Sequence, residues 1–143
     1  MEFTFSKDDI GLIVHSIISE QLSRRDGDYF PLYPSFAGRG FLDKPPFSFD
    51  SLGLVNLATQ VGDFFGVTHA GLEEHFLRHK NIRSWIDIIS DSLKHYNKTL
   101  TFMTSGTTAK PKRVEHSLEN ILKEVQFLAT LFADRKEIHS FVR

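Results

Sequence analysis

Two short stretches bring together residue types that can work on phosphate or on an acceptor hydroxyl. The first is Phe49-Asp50-Ser51-Leu52-Gly53, where a serine stands at the head of a predicted helix. Unpaired amides and the positive end of the helix dipole favour negative charge at such a position. No general base adjoins Ser51 in sequence, so its hydroxyl reads as an acceptor for another enzyme and not as a nucleophile. The plainest use of Asp50-Ser51 is a helix cap, in which Asp50 or Ser51 accepts from an orphan amide of the first turn. The second stretch is Thr104-Ser105-Gly106-Thr107-Thr108-Ala109-Lys110. Short hydroxyls and backbone amides can close around phosphate oxygens while Lys110 supplies a point charge. The alternative is a Ser/Thr-rich hairpin loop that binds nothing. A Gly-x-Ser-x-Gly elbow is missing around both Ser51 and Ser105, which removes the usual hydrolase nucleophile.

Three further features invite a chemical reading and are better explained otherwise. Glu74, His75 and His79 fall at helical spacing, yet no third ligand motif accompanies them, so surface histidines are expected and no metal site. Lys110, Lys112 and Arg113 form a small basic cluster that suits either phosphate or a solvated turn. Trp85 sits at apolar spacing and reads as core, or as lining for an apolar cavity.

The elements that would position these residues follow from periodicity. Ser6 and Asp9 form a capping box, and Ile10, Ile13, Val14, Ile17, Ile18 and Leu22 then recur on one helical face. From Ser23 to Phe49 periodicity gives way to Gly27, Pro31, Pro34, Gly38, Gly40 and Pro45-Pro46, a long connection expected to be pinned by Tyr29, Phe30, Phe36 and Phe41. A second helix carries Leu54, Leu57, Ala58, Val61, Phe64 and Phe65 inward and stops at Gly66. A short helix around Leu72 and Phe76 precedes a longer one with Ile82, Trp85, Ile86, Ile89 and Leu93 inward. The expected fold is mainly α, a four-helix bundle with a long first loop, followed by a C-terminal β-hairpin and helix. The hairpin pairs Thr99 to Met103 with a short strand at Lys112 to Val114. The last helix places Leu118, Ile121, Leu122, Val125, Leu128, Ala129 and Phe132 on one side. A boundary is expected near Tyr96 to Lys98, giving units 1–97 and 98–143.

Composition limits the alternatives. A chain of 143 residues has room for one ordinary domain, or a small one plus part of another. Net charge of -1 argues against nucleic acid as a partner. With no cysteine, any thiol used here must be brought in. The opening residues turn acidic and no apolar run approaches bilayer-spanning length, so a cytoplasmic protein with no membrane span is expected.

The run Asp50-Ser51-Leu52-Gly53-Leu54-Val55-Asn56-Leu57, continuing to Phe64-Phe65-Gly66-Val67, resembles the recognition helix of acyl carrier proteins, and the helix order over 1–97 is similar to theirs. The resemblance implies that a phosphopantetheinyl transferase attaches 4'-phosphopantetheine to Ser51, with Asp50 and Leu52 completing the recognition motif. It implies that an acyl or aminoacyl thioester rides on the arm in fatty acid, polyketide or related secondary-metabolite biosynthesis. Partners would be an acyl-activating ligase and acyltransferase or synthase enzymes. The bundle core could shelter an acyl chain, at about 0.8 kcal/mol for each methylene removed from water. Gly53 and Asn56 stand where carriers are often acidic, which suits a dedicated partner more than charge-steered docking to many.

The stretch Phe102 to Ser117 resembles the phosphate-binding loop of adenylate-forming enzymes, the acyl-CoA synthetase and adenylation family, with Ala109 where glycine is usual. The resemblance implies that Thr104, Ser105, Gly106, Thr107, Thr108 and Lys110 hold ATP phosphates between two strands. It covers only about Thr99 to Phe132, so ATP is expected as a cofactor only for a complete ligase. A carrier at Ser51 is therefore the leading expectation, and not an enzyme by itself. The alternative is the N-terminal part of an ATP-dependent acid-activating ligase with a fused carrier.

Overall fold

A computed structural model describes residues 5–27, 40–96, 98–104 and 110–135. Helix α1 spans Lys7–Asp26. Its start is fixed reciprocally: the Asp9 amide donates to Ser6 Oγ at 3.1 Å and the Ser6 amide to the Asp9 carboxylate at 2.9 Å. It stops at Gly27, whose φ of 76° lies in the left-handed region that favours glycine. Ile10, Val14, Ile18 and Leu22, each four residues on, are buried, and Ile13 and Ile17 pack beside them.

Helix α2 spans Ser51–Phe65 and ends at left-handed Gly66. A 3-10 turn over Val67–Ala70 leads to α3 at Glu73–Arg78 and α4 at Ile82–His95. The sequence pattern does not anticipate the 3-10 turn, because four residues are too few for a period to register. α4 is the strongest amphipathic helix, and Ile82, Trp85, Ile86, Ile89 and Leu93 are all buried. Trp85 is a fully buried core residue whose ring lies 4.7 Å from that of Phe76, and its indole N–H donates to the Phe76 carbonyl at 2.9 Å. A buried indole thus has both its apolar body and its donor satisfied.

The described part of the long connection is pinned, and of the expected aromatics only Phe41 falls within it. Leu42, Phe47 and Phe49 are buried, whereas Phe41 is exposed with Lys44 over its ring at 5.1 Å. Tyr29, Phe30 and Phe36 lie outside the described residues. Backbone bonds tie the connection to the start of α4: the Leu42 amide donates to Lys80 at 2.8 Å and the Ile82 amide to Gly40 at 3.1 Å. Gly40 has a φ of 117°, and a Cβ there would meet the Phe47 ring at 2.8 Å, so no other residue fits without movement.

Strand β1, Thr99–Thr104, pairs antiparallel with β2, Lys112–Ser117, in a register that sets Phe102 opposite Val114 and Thr104 opposite Lys112. β2 runs three residues beyond the expected Val114 because β1 offers a partner to each of Glu115, His116 and Ser117. Leu100 is buried in the same cluster as the helices' apolar residues. Tyr96 to Lys98 therefore marks a change of element type across which packing continues. Burying one such leucine contributes about 2 kcal/mol, and an isolated two-stranded hairpin is marginal in water. The hairpin thus draws its stability from the bundle. Helix α5, Leu118–Leu131, follows at once, its first amide bonded to the Lys98 carbonyl at 2.7 Å. Leu118 and Ile121 rest against the core, but no residue of α5 is fully buried.

Candidate functional site

Asp50 is the residue that caps α2. Its Oδ1 accepts from the Gly53 amide at 2.7 Å, while its carbonyl accepts from Leu54 at 2.9 Å. Ser51 is therefore the first helical residue, exposed, with its hydroxyl at the amide-rich end of α2. Leu52 is 69% exposed and Val55 45%, so an apolar strip runs beside the serine. The absence of a side chain at Gly53 follows from crowding: a Cβ there would come within 3.0 Å of both Asp50 Oδ1 and the Phe49 ring.

One residue near this site carries no periodic signal in the sequence. Arg25, in the last turn of α1, donates from Nη1 to the carbonyls of Phe47 and Ser48 at 3.0 and 3.2 Å. Its guanidinium lies over the Phe49 ring at 5.4 Å. A hydrogen bond from Arg25 holds the Asp26 carboxyl below its ordinary range, and the charge of Asp50 adds to the field that keeps Arg25 protonated. Arg25, itself paired with Asp26, thus fastens the end of α1 to the residues just ahead of α2.

The second candidate lies at the tip of the hairpin. Thr104 closes the ladder, its hydroxyl donating to the Lys112 carbonyl at 3.3 Å, and Lys110 is exposed just before β2. Ser105, Gly106, Thr107 and Thr108 lie outside the described residues. Of the basic cluster, Arg113 is engaged: its guanidinium reaches the Asp63 carboxylate of α2 at 3.7 Å. Beside it, Phe64 meets Phe102 edge-on at 5.2 Å, and Phe102 meets His116 at 5.6 Å. This junction between α2 and the hairpin was not legible in the sequence, because its members are scattered from 63 to 116. Ser51 is at the opposite end of α2 from the junction, so the two candidates are separate sites joined by one helix.

His75 and His79 are both exposed, and among the described residues no group of three or more His, Asp or Glu could hold a metal ion. No helix among the described residues is long and apolar enough to cross a membrane.

No family model matches the chain, and no solved structure matches it significantly. Three curated proteins do. A 4-coumarate–CoA ligase of Cereibacter sphaeroides is 33% identical over 96 residues, covering 66% of this chain and 23% of the ligase. Those of Halorhodospira halophila and Rhodobacter capsulatus are 32% and 31% identical over 97 and 100 residues, covering 25% and 26% of their lengths. The chain thus contains a ligase-like region, and it spans about a quarter of the length of the curated relatives it matches. At 96 residues the matched stretch is longer than the segment 98–143, so it takes in a share of the residues before Lys98.

Proposed function

We propose that the chain is one unit of an ATP-dependent, acid-activating ligase, with the loop between β1 and β2 holding ATP phosphates. The observation that carries this reading is the length of the similarity to the three ligases, which reaches well into the helical part. Core continuity supports it, since Leu100 of β1 is buried among the side chains of the helices. On this reading Thr104, Ser105, Gly106, Thr107 and Thr108 surround phosphate oxygens and Lys110 offsets their charge. The helices then act as the base on which the hairpin stands. The matched ligases carry about three quarters of their length beyond this region, so complete turnover on this reading draws on more than these 143 residues.

The test is a chimera in which the corresponding stretch of this chain replaces the matched stretch of the Cereibacter ligase. Expected is formation of the CoA thioester of 4-coumarate that requires ATP, with Lys110→Ala lowering the rate about 100-fold, the effect of removing one preorganised charge-stabilising group. A folded chimera without activity, or one indifferent to Lys110→Ala, counts against the reading.

A second reading keeps Ser51 as the attachment point of phosphopantetheine, and a specific observation favours it. Ser51 is exposed in the first turn of a capped helix, with Leu52 exposed beside it and the amide-rich helix end suited to an added phosphate. Incubation with coenzyme A, magnesium and a broad-specificity transferase is expected to raise the mass of the chain, and Ser51→Ala to abolish the increase. No increase with an active transferase removes this reading.

A further inference from the structure

Helix α2 carries a single charged residue, Asp63, and carries it in its last turn. The negative end of the helix dipole disfavours a carboxylate there, so Asp63 works against α2 itself. Its partner is Arg113 of β2, at 3.7 Å. The two side chains are 40% and 48% exposed, and an ion pair so open to water adds little to stability. Neither helix formation nor stability accounts for Asp63. Geometry does, because the next residue, Phe64, meets Phe102 of β1 edge-on, and Phe102 in turn meets His116 of β2 with ring planes at 77°. One turn of α2 thus holds a point on each strand of the hairpin, Phe102 on β1 and Arg113 on β2.

Both points lie close to the tip. The register sets Met103 opposite Arg113 and Thr104 opposite Lys112, so Phe102 is two residues before Thr104 and Arg113 three after Lys110. The base is held separately, by buried Leu100 and by the Leu118 amide bonded to the Lys98 carbonyl. At about 3.3 Å per residue, Thr104 stands about 13 Å along β1 from Leu100, and a change of about 10° in the twist between the two strands shifts one loop end past the other by about 2 Å. Hydrogen bonds to a phosphate oxygen accept a spread of only about 0.5 Å. A hairpin fastened at its base alone would leave the loop ends too loosely placed to converge on one ligand.

We propose that Asp63 and Phe64 are positioning residues for phosphate binding at the hairpin tip. Through Arg113 and Phe102 they fix the angle between β1 and β2, and with it the placement of Thr104 relative to Lys110. The inference rests on the phosphate-holding role proposed above and adds the residues of α2 that prepare it. A match covering 66% of 143 residues takes in residues 50–94 wherever it starts, so α2 lies inside the ligase-like region.

The test uses the whole chain, labelled with 15N, and two probes, magnesium ATP and inorganic triphosphate. The amide signals of Thr104 and Lys110 are expected to shift with both probes and to saturate at millimolar concentration. Asp63→Asn and Phe64→Leu are each expected to weaken binding of both probes at least about threefold, measured well below the melting temperature of each variant so that every chain is folded. The sign is diagnostic. Asp63→Asn removes a negative charge and releases Arg113, so charge alone would tighten the binding of a polyanion, and only lost positioning weakens it. Asp63→Glu, which keeps the carboxylate, is expected to bind as the parent does. Asp91→Asn, at an exposed carboxylate of α4, makes the same change in net charge and is expected not to weaken binding. The proposal is overturned if Asp63→Asn or Phe64→Leu binds as tightly as the parent, or if Asp91→Asn weakens binding as much as Asp63→Asn. Either result leaves the phosphate-holding reading of the loop standing, since the parent still binds. A parent chain that binds neither probe removes that reading, and the proposal with it.

Discussion

Phe64, the penultimate residue of α2, meets Phe102 of β1 edge-on, with ring centroids 5.2 Å apart and planes at 75°. The contact joins the serine-bearing helix to the hairpin whose tip carries the Thr/Lys loop. With the Asp63–Arg113 ion pair beside it, it fixes the direction in which the hairpin leaves the bundle.

This aromatic pair should be energetically coupled. A double-mutant cycle on Phe64→Leu and Phe102→Leu, read by urea unfolding, is expected to give an interaction of about 1 kcal/mol beyond the sum of the single effects. Strictly additive single effects would mean that the edge-on contact adds nothing beyond the burial of each ring.

Asp50 caps α2 and should behave as a cap. Asp50→Ala is expected to cost about 1 kcal/mol, and Asp50→Asn, which retains an acceptor oxygen, to stay near the parent protein. Thermal unfolding of the two variants separates the cap from any effect of removing charge beside Arg25.

Ser92 is fully buried in α4, and its hydroxyl finds no partner among the described residues. Replacing an unsatisfied buried polar group by a methyl group removes a desolvation cost of about 1–3 kcal/mol. Ser92→Ala is therefore expected to leave stability unchanged or to raise the melting temperature, against the usual direction for a core substitution.

Trp85 couples packing and hydrogen bonding, and Phe at this position keeps much of the first and none of the second. Trp85→Phe is expected to destabilise by about 1–3 kcal/mol through the carbonyls of Phe76 and His79 losing their shared donor. Circular dichroism is the appropriate probe, since Trp85 is the chain's single tryptophan.

The acid limb of stability has an identifiable contributor in α5. A hydrogen bond from Lys123 holds the Glu119 carboxyl below its ordinary range. Because the folded-state value lies below the unfolded one, the contribution is present above the ordinary carboxylate range and is lost as pH falls through the folded-state value. The pair is exposed, so the effect is small. Glu119→Gln is expected to flatten the acid limb slightly and leave the alkaline side unchanged.

Much of the fold was legible in the sequence, for reasons visible in particular residues. The four-residue rhythm of Ile10, Val14, Ile18 and Leu22 and the Ser6/Asp9 box defined α1 to its first residue. Gly66 marked the end of α2 because only the left-handed conformation closes that helix. Contacts between residues distant in sequence were not legible. Nothing local in Arg25 points to the carbonyls of Phe47 and Ser48, and nothing in Leu100 says that a strand after a polar break returns to the helical core. The apolar stripe of α5 was read correctly as a pattern, but a pattern does not tell whether its cover is supplied by the same fold. For the sites, Ser51 lies exposed in the first turn of α2, and of the two cap candidates Asp50 is the one that caps. Of the six loop residues, only Thr104 and Lys110 are among those described.

Arg25 has one more implication. Its guanidinium fastens the end of α1 to the residues just ahead of α2, while the Gly40 and Leu42 backbone is fastened to the start of α4. The covalent path through residues 28–39 is thus not the sole link between the first helix and the rest. A chain cut there has the means to remain assembled as two pieces.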